Sequence, residues 1–95
     1  MSERMLYVRN RLGLHVLAAQ RLVDLARRYR AQISLFCNGQ QTDAKNILGV
    51  LTLAASLGSA IVVRASGQDA PAAVRALELL VESGFGEGSG LQAMN

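Results

Sequence analysis

Two side chains able to do chemistry each occur once in the 95 residues, His15 and Cys37. An imidazole near neutral pH carries a free lone pair and acts as a nucleophile. Isolated histidines are more often surface or capping residues, so His15 draws its interest from where it stands. It closes the segment Asn10-Arg11-Leu12-Gly13-Leu14-His15, directly ahead of a helical pattern. The first backbone N–H groups of that helix have no partner inside it. Cys37 sits among Ile33, Leu35 and Phe36 and reads as an ordinary strand residue. With no second cysteine it forms no internal disulfide, which agrees with a reducing compartment. One histidine and one cysteine fall short of the three or four clustered ligands of a metal centre, so neither metal nor cofactor is expected. The chain also lacks a Gly-x-x-x-x-Gly-Lys nucleotide loop, paired carboxylates near His15 in sequence, and a serine or cysteine nucleophile with an adjacent base. A self-contained enzyme is therefore the least favoured class.

Periodicity gives the elements that hold His15. Met5 to Val8 alternates, with Leu6 and Val8 on one side and Tyr7 and Arg9 on the other, as a first strand does. Asn10 to Gly13 breaks it. From Val16 to Arg30 the apolar residues Val16, Ala19, Leu22, Val23 and Ala26 recur at helical spacing, opposite Arg21, Asp24, Arg27 and Arg28. Ile33, Leu35 and Cys37 alternate with Ser34 and Phe36 in a second strand. Asn38-Gly39 then favours a tight hairpin, because both residues tolerate positive φ, and Gln40 to Asp43 returns as a short polar strand near an edge. Asn46 is expected to cap a short helix that turns Ile47, Val50, Leu51 and Ala54 inward and ends at Gly58. Ala60 to Ala65, with β-branched Ile61, Val62 and Val63, is the fourth strand. Asp69 is expected to cap a last helix, with Pro71 in its first turn, Val74, Leu77, Leu80 and Val81 as its buried stripe, and Ser83-Gly84 as its stop. The order β-α-β-β-α-β-α predicts an α+β open-faced sandwich, an antiparallel sheet with helices packed on one face. One domain over residues 1–87 and a Gly- and Ser-rich flexible tail over 88–95 are expected.

Hydrophobic residues make up 51% of the chain, enough for a core and too many for a disordered segment. No apolar stretch reaches the roughly 18–20 residues needed to span a bilayer, and Met1 to Val8 lacks the apolar block of a secretory signal. A cytoplasmic protein without membrane attachment is the expectation. The net charge is +3, with the excess in Arg4, Arg9, Arg11, Arg21, Arg27, Arg28 and Arg30. Such a balance suits nucleic acid or an acidic protein partner. Two tyrosines and two phenylalanines in the whole chain give base stacking little support. No nucleic-acid partner is expected, and the arginines read as a solvated helix face.

Gly13-Leu14-His15 at a helix start resembles the active-site loop of the histidine-containing phosphocarrier (HPr) family of the phosphoenolpyruvate-dependent phosphotransferase system. The resemblance runs from about Leu6 to Glu87. Ala44-Lys45-Asn46-Ile47-Leu48-Gly49-Val50-Leu51 is similar to the family's second-helix segment, and Gly67-Gln68-Asp69-Ala70 and Ser83-Gly84-Phe85-Gly86-Glu87 to its later portion. The Phe-Gly-Glu ending resembles proteobacterial members, including the nitrogen-branch paralogue. The resemblance implies a phosphocarrier. His15 would accept a phosphoryl group on Nδ1 from an enzyme I-like donor and pass it to an acceptor domain of a sugar or nitrogen-branch phosphotransferase protein. A phosphoimidazole transfers its phosphoryl group readily, and the free N–H groups of Val16, Leu17 and Ala18 would hold the phosphate oxygens. Gly13 would let the loop approach its partner closely. The resemblance also puts Gln20, Ile47, Leu48 and Leu51 in the partner-binding surface, beside Val16 and Leu17. Helical periodicity gives Val50 and Leu51 to the core and Ile47 or Leu48 to the surface. Because both partners need one exposed face, a monomer is implied.

Two positions depart from the family pattern. The second residue after the histidine, an arginine in the family, is Leu17 here. An arginine there would supply a charge-assisted contact worth roughly 1.5–3 kcal/mol. Its replacement supports an alternative function, a regulatory or interaction module with weakened or lost phosphotransfer. Arg11 and Arg21 are the nearby candidates for compensation. The second departure is Asn46, where family members often carry a serine that a dedicated kinase phosphorylates. Asparagine caps as well as serine but has no hydroxyl, so the cap is expected and that regulation is not.

Overall fold

Alternation of inward and outward side chains builds the sheet. The computed structural model describes residues 1–86; Glu87 and the expected tail over 88–95 lie outside the described residues. Strands β1 (Ser2–Tyr7), β2 (Gln32–Cys37), β3 (Gln40–Asp43) and β4 (Ala60–Ser66) form one antiparallel sheet in the order β1-β4-β2-β3. The polar strand β3 lies at an edge, as its composition predicts. Leu6 pairs with Ile61 and Leu35 with Val63; these side chains, with Ile33, Cys37 and Ala65, are the sheet's buried half of the core. Helices α1 (Val16–Ala26), α2 (Ile47–Thr52) and α3 (Ala70–Glu82) cover that face, and a short 3-10 turn, Gly84–Gly86, follows. Phe85, in the middle of that turn, is buried at 1% exposure. On the open face Met5, Val62 and Phe36 stand in register across three strands, with the Arg64 guanidinium 4.8 Å above the Phe36 ring.

Several boundaries differ from the periodicity, each because a polar contact outweighs it. β1 begins at Ser2 rather than Met5, since Ser2, Glu3 and Arg4 stay in register with Ala65, Arg64 and Val63 although their side chains do not alternate in polarity. α1 ends at Ala26 rather than Arg30. The Asp69 carboxylate accepts the N–H groups of Arg30 at 2.9 Å and Ala31 at 2.8 Å, which draws the chain out of the helix and into β2. The expected capping of α3 by Asp69 therefore does not form. Asp69 occupies the N-cap position, but its side chain makes no capping bond, being committed to the α1–β2 turn. The Arg30 N–H, helped by that of Ala31 and by the Lys45 charge and opposed by desolvation, holds the Asp69 carboxyl below its ordinary 3.8.

α2 stops at Thr52, so Leu53 and not Ala54 is buried. Ala54 is exposed at φ +54, and Gly58 lies in the loop beyond the helix. Val16 drops out of the buried stripe of α1 at 67% exposure, and Ala18 takes its place. The arginines are less solvated than their spacing implies. Arg4 and Arg9 pair with Glu78 and Glu82 of α3 at 3.0 and 3.2 Å. Arg27 donates from Nε and Nη2 to the Lys45 carbonyl. Asn38 and Gly39 turn the hairpin with φ of 53° and 76°, as expected.

Candidate functional site

The loop before α1 is held by its own chain. The Asn10 carbonyl accepts the Gly13 N–H at 3.1 Å, and Asn10 Nδ2 donates to the Gly13 carbonyl at 2.7 Å. The Leu14 N–H then donates to the Ala55 carbonyl at 2.9 Å, with the Leu14 side chain in the core. Gly13 has φ +66, and a Cβ there would lie 2.6 Å from the Ala55 oxygen and 2.8 Å from Ser56 Cα. Glycine at this position is thus required for the loop to reach the 55–56 segment.

This seating delivers His15 to the N-cap of α1. Its backbone is extended, its carbonyl accepts the Ala19 N–H at 2.8 Å, and its Nδ1 accepts the Leu17 N–H at 3.2 Å. A ring nitrogen that accepts presents its lone pair, so the proton of the neutral ring is on Nε2. The half-buried imidazole therefore points the Nδ1 lone pair at the helix start. The expected trio of free amides is altered in one member, because the ring itself occupies the Leu17 N–H.

The remaining residues fall on the same side of the sheet. α2 runs antiparallel beside α1: Leu14 meets Ala55 beyond one end of α2, and Arg27 meets Lys45 before the other. Leu17 is 52% and Leu48 73% exposed, and Leu12 and Val16 also face outward. Val50 is in the core as expected, whereas Ile47 and Leu51 are both half-buried and pack against it. Gln20 is exposed and donates to Asp24 Oδ1 at 2.8 Å. Asn46 caps α2, its Oδ1 accepting from Leu48 N at 3.1 Å and Gly49 N at 3.3 Å. Arg21 donates from Nη1 to the Phe85 carbonyl. Burial pushes the Cys37 thiol above its ordinary value and keeps it protonated at neutral pH.

Residues 2–83 match the family model described as the PTS HPr component phosphorylation site. The chain belongs to the HPr family. It is 41% identical over 88 residues to phosphocarrier protein HPr of Cupriavidus necator, covering 93% of this chain and 99% of that one. It is 38% identical over 87 residues to phosphocarrier protein NPr of Shewanella violacea, covering 92% and 96%. The crystal structure of HPr-C-His from Thermoanaerobacter tengcongensis superposes with a TM-score of 0.87 at 34% identity, over 90% of this chain and 97% of the other. The HPr fold and a phosphocarrier function within the phosphotransferase system follow from these matches. No helix among the described residues is long and apolar enough to cross a membrane.

Three positions at the HPr site escaped the sequence reading. Asn10 looked like a strand breaker, although Leu6, Val8 and Asn10 share one parity, which was the available signal that it points inward. The part of Ala55 is played by its carbonyl, which no residue type announces. Ala54, a non-glycine at positive φ, carries no sequence mark of its turn.

Proposed function

We propose that His15 takes a phosphoryl group on Nδ1 from a phosphohistidine of an enzyme I-like donor and gives it to a histidine of an acceptor domain, of the sugar or the nitrogen branch. The observation that supports this most directly is the Nδ1 lone pair held at the start of α1, 3.2 Å from the Leu17 N–H. In the transfer, that lone pair forms the new N–P bond while the bond from phosphorus to the donor's ring nitrogen breaks. The donor nitrogen keeps the electron pair. The His15 proton stays on Nε2, so no proton need cross between the proteins. Once Nδ1 is phosphorylated it no longer accepts a hydrogen bond, and the Leu17 N–H turns to a phosphoryl oxygen, joining Val16 and Ala18 at the positive end of the helix. With the guanidinium replaced by Leu17, these backbone groups carry more of the anion's stabilisation.

Leu12, Val16, Leu17 and Leu48, all exposed, with Gln20, Ile47 and Leu51, form the docking face for both partners. An apolar face of this kind in a basic chain suits a partly hydrophobic, acidic protein surface. One face serving donor and acceptor in turn favours a monomer working in the cytoplasm, where phosphoenolpyruvate is found. At position 46 the asparagine acts as a cap alone.

The test is intact-mass analysis after incubation with phosphoenolpyruvate and enzyme I from the same organism, beside a His15→Ala control. An acid-labile gain of one phosphoryl mass, absent from the control, is the expected result. No gain while an HPr carrying the arginine is phosphorylated in parallel would favour the module without efficient transfer. That reading has its own observation, the outward Leu17 side chain enlarging the apolar face, and phosphorylation restored by Leu17→Arg would establish it.

A further inference from the structure

We propose that Asn10 is a positioning residue for transfer through His15, an inference that rests on His15 being the phosphoryl acceptor. Asn10 is the one polar side chain buried in the core among the described residues, at 2% exposure. Strand parity puts it on the inward side after Leu6 and Val8, where an apolar residue would continue the pattern at lower desolvation cost. The polar choice is matched by what it does. Both ends of Gly13's hydrogen-bonding capacity are taken by this one residue, the N–H by its carbonyl and the C=O by its Nδ2. Gly13 is in the left-handed region, where glycine is free to leave, so the clamp and the close wall at Ala55 and Ser56 hold its conformation.

From Gly13 the constraint passes directly to the nucleophile. Leu14 is fixed by the Ala55 carbonyl and by its buried side chain, and the next residue is His15 at the cap. Without the Asn10 side chain the backbone bonds of Gly13 to Asn10 and of Leu14 to Ala55 remain, but the Gly13 carbonyl loses its partner, and the Gly13–Leu14 peptide and the His15 backbone beyond it gain freedom to leave the cap geometry. Nδ1 then exchanges the Leu17 N–H for water, and the neutral ring divides between its two tautomers. The fraction of chains presenting an Nδ1 lone pair at the helix start falls, and with it the transfer rate, while the docking face on Val16, Leu17 and Leu48 is untouched. Asn10 acts on orientation of the attacking atom, and its loss belongs in kcat rather than in partner affinity.

The experiment compares the wild-type chain with Asn10→Ala, with the isosteric Asn10→Asp, which has no N–H to give to Gly13, and with Ile33→Ala as a core control at the other end of the sheet, where Ile33 pairs with Ala65. Three quantities are read: phosphorylation kinetics with enzyme I and phosphoenolpyruvate, the ¹⁵N shifts of the neutral His15 ring, and thermal stability. Both Asn10 variants are expected to lose at least tenfold in kcat with KM within about twofold, and to move the ring from the Nε2–H form toward a tautomer mixture. Ile33→Ala is expected to lower stability and leave both readouts alone. Wild-type kcat and ring shifts in a folded Asn10→Asp, or the same kcat loss in Ile33→Ala, would overturn the inference. Should Asn10→Ala fail to fold, Asn10→Asp decides alone. A wild-type chain that takes no phosphoryl group overturns the acceptor role together with this inference; an active wild type with unmoved ring shifts in the variants overturns this inference only.

Discussion

The starts of α1 and α2 are built alike and do different things. In each, the residue before the first helical turn turns its side chain back to accept the N–H two positions on: His15 Nδ1 from Leu17 at 3.2 Å, Asn46 Oδ1 from Leu48 at 3.1 Å. Asn46 takes a second N–H, from Gly49, and its amide oxygen is chemically inert. The imidazole takes one on its single Nδ1 lone pair, the pair that the proposed transfer directs to phosphorus. A helix start thus becomes a reactive site when the capping atom is itself a nucleophile, and stays structural when it is not. The chain spends more structure on the reactive start. Gly13, Leu14 and Asn10 seat the loop ahead of α1, whereas α2 follows a turn closed by the Asn46 N–H on the Asp43 carbonyl.

If that extra seating is what separates the two starts, Gly13→Ala breaks it most severely. The added Cβ meets the Ala55 oxygen and Ser56 Cα inside 3 Å, at a φ that alanine disfavours. Left-handed alanine costs about 1–2 kcal/mol and overpacking about 1–3 kcal/mol. A loss of roughly 3 kcal/mol is expected in chemical denaturation, with phosphorylation slowed as the His15 cap opens. A loss under about 1 kcal/mol would mean that the loop does not lean on the 55–56 segment.

α3 sharpens the comparison from the other side, since its acidic N-cap residue caps nothing in its own helix. Asp69 spends both carboxylate oxygens on the Arg30 and Ala31 N–H groups. Its folded-state pKa lies below the ordinary 3.8, so the stability it lends is complete above that value and is lost as pH falls through the folded pKa. Asp69→Asn, which offers one acceptor where two are used, is expected to lower Tm at neutral pH. The two melting curves should converge as acid protonates Asp69 in the parent. A gap that stays constant to below pH 3 would show that the carboxylate's charge plays no part.

Much of this was available from residue spacing. Strict alternation gave the inward faces of β2 and β4, Asn38-Gly39 gave the hairpin, and Asn46 gave the cap of α2. The early end of α1 and the missing side-chain cap of α3 share one cause: a side chain whose polar atoms bond outside the element it begins. Asp69 has the right type at the right place for a helix cap, and nothing local tells that the α1–β2 turn will claim it. Arg21 bonds the Phe85 carbonyl through Nη1, a contact across the chain that no local spacing announces. His15 was found because glycine, leucine and a helix start surround it. The carbonyl of Ala55 that secures its neighbour was not, since backbone atoms are the same in every residue.

The mildest change tests the α2 start itself. Asn46→Ala removes the acceptor of both the Leu48 and Gly49 N–H groups and is expected to cost about 1 kcal/mol, or about 4–8 °C in Tm for a domain of this size. The kcat of phosphorylation at His15 should stay parental, because α1 is capped independently, and a loss of docking through Ile47 and Leu48 would show in KM. Asn46→Ser keeps an oxygen in capping reach, and the two residues rank about equally as caps, so its Tm should stay within about 2 °C of the parent, a few tenths of a kcal/mol. The serine variant differs in one chemical respect, a hydroxyl at the positive end of α2. If Asn46→Ser matches the parent in stability while Asn46→Ala does not, the side-chain oxygen accounts for the whole contribution of residue 46. If both variants fall equally, the amide N–H₂ is engaged as well, and the α2 start is less simple than the α1 start it was compared with.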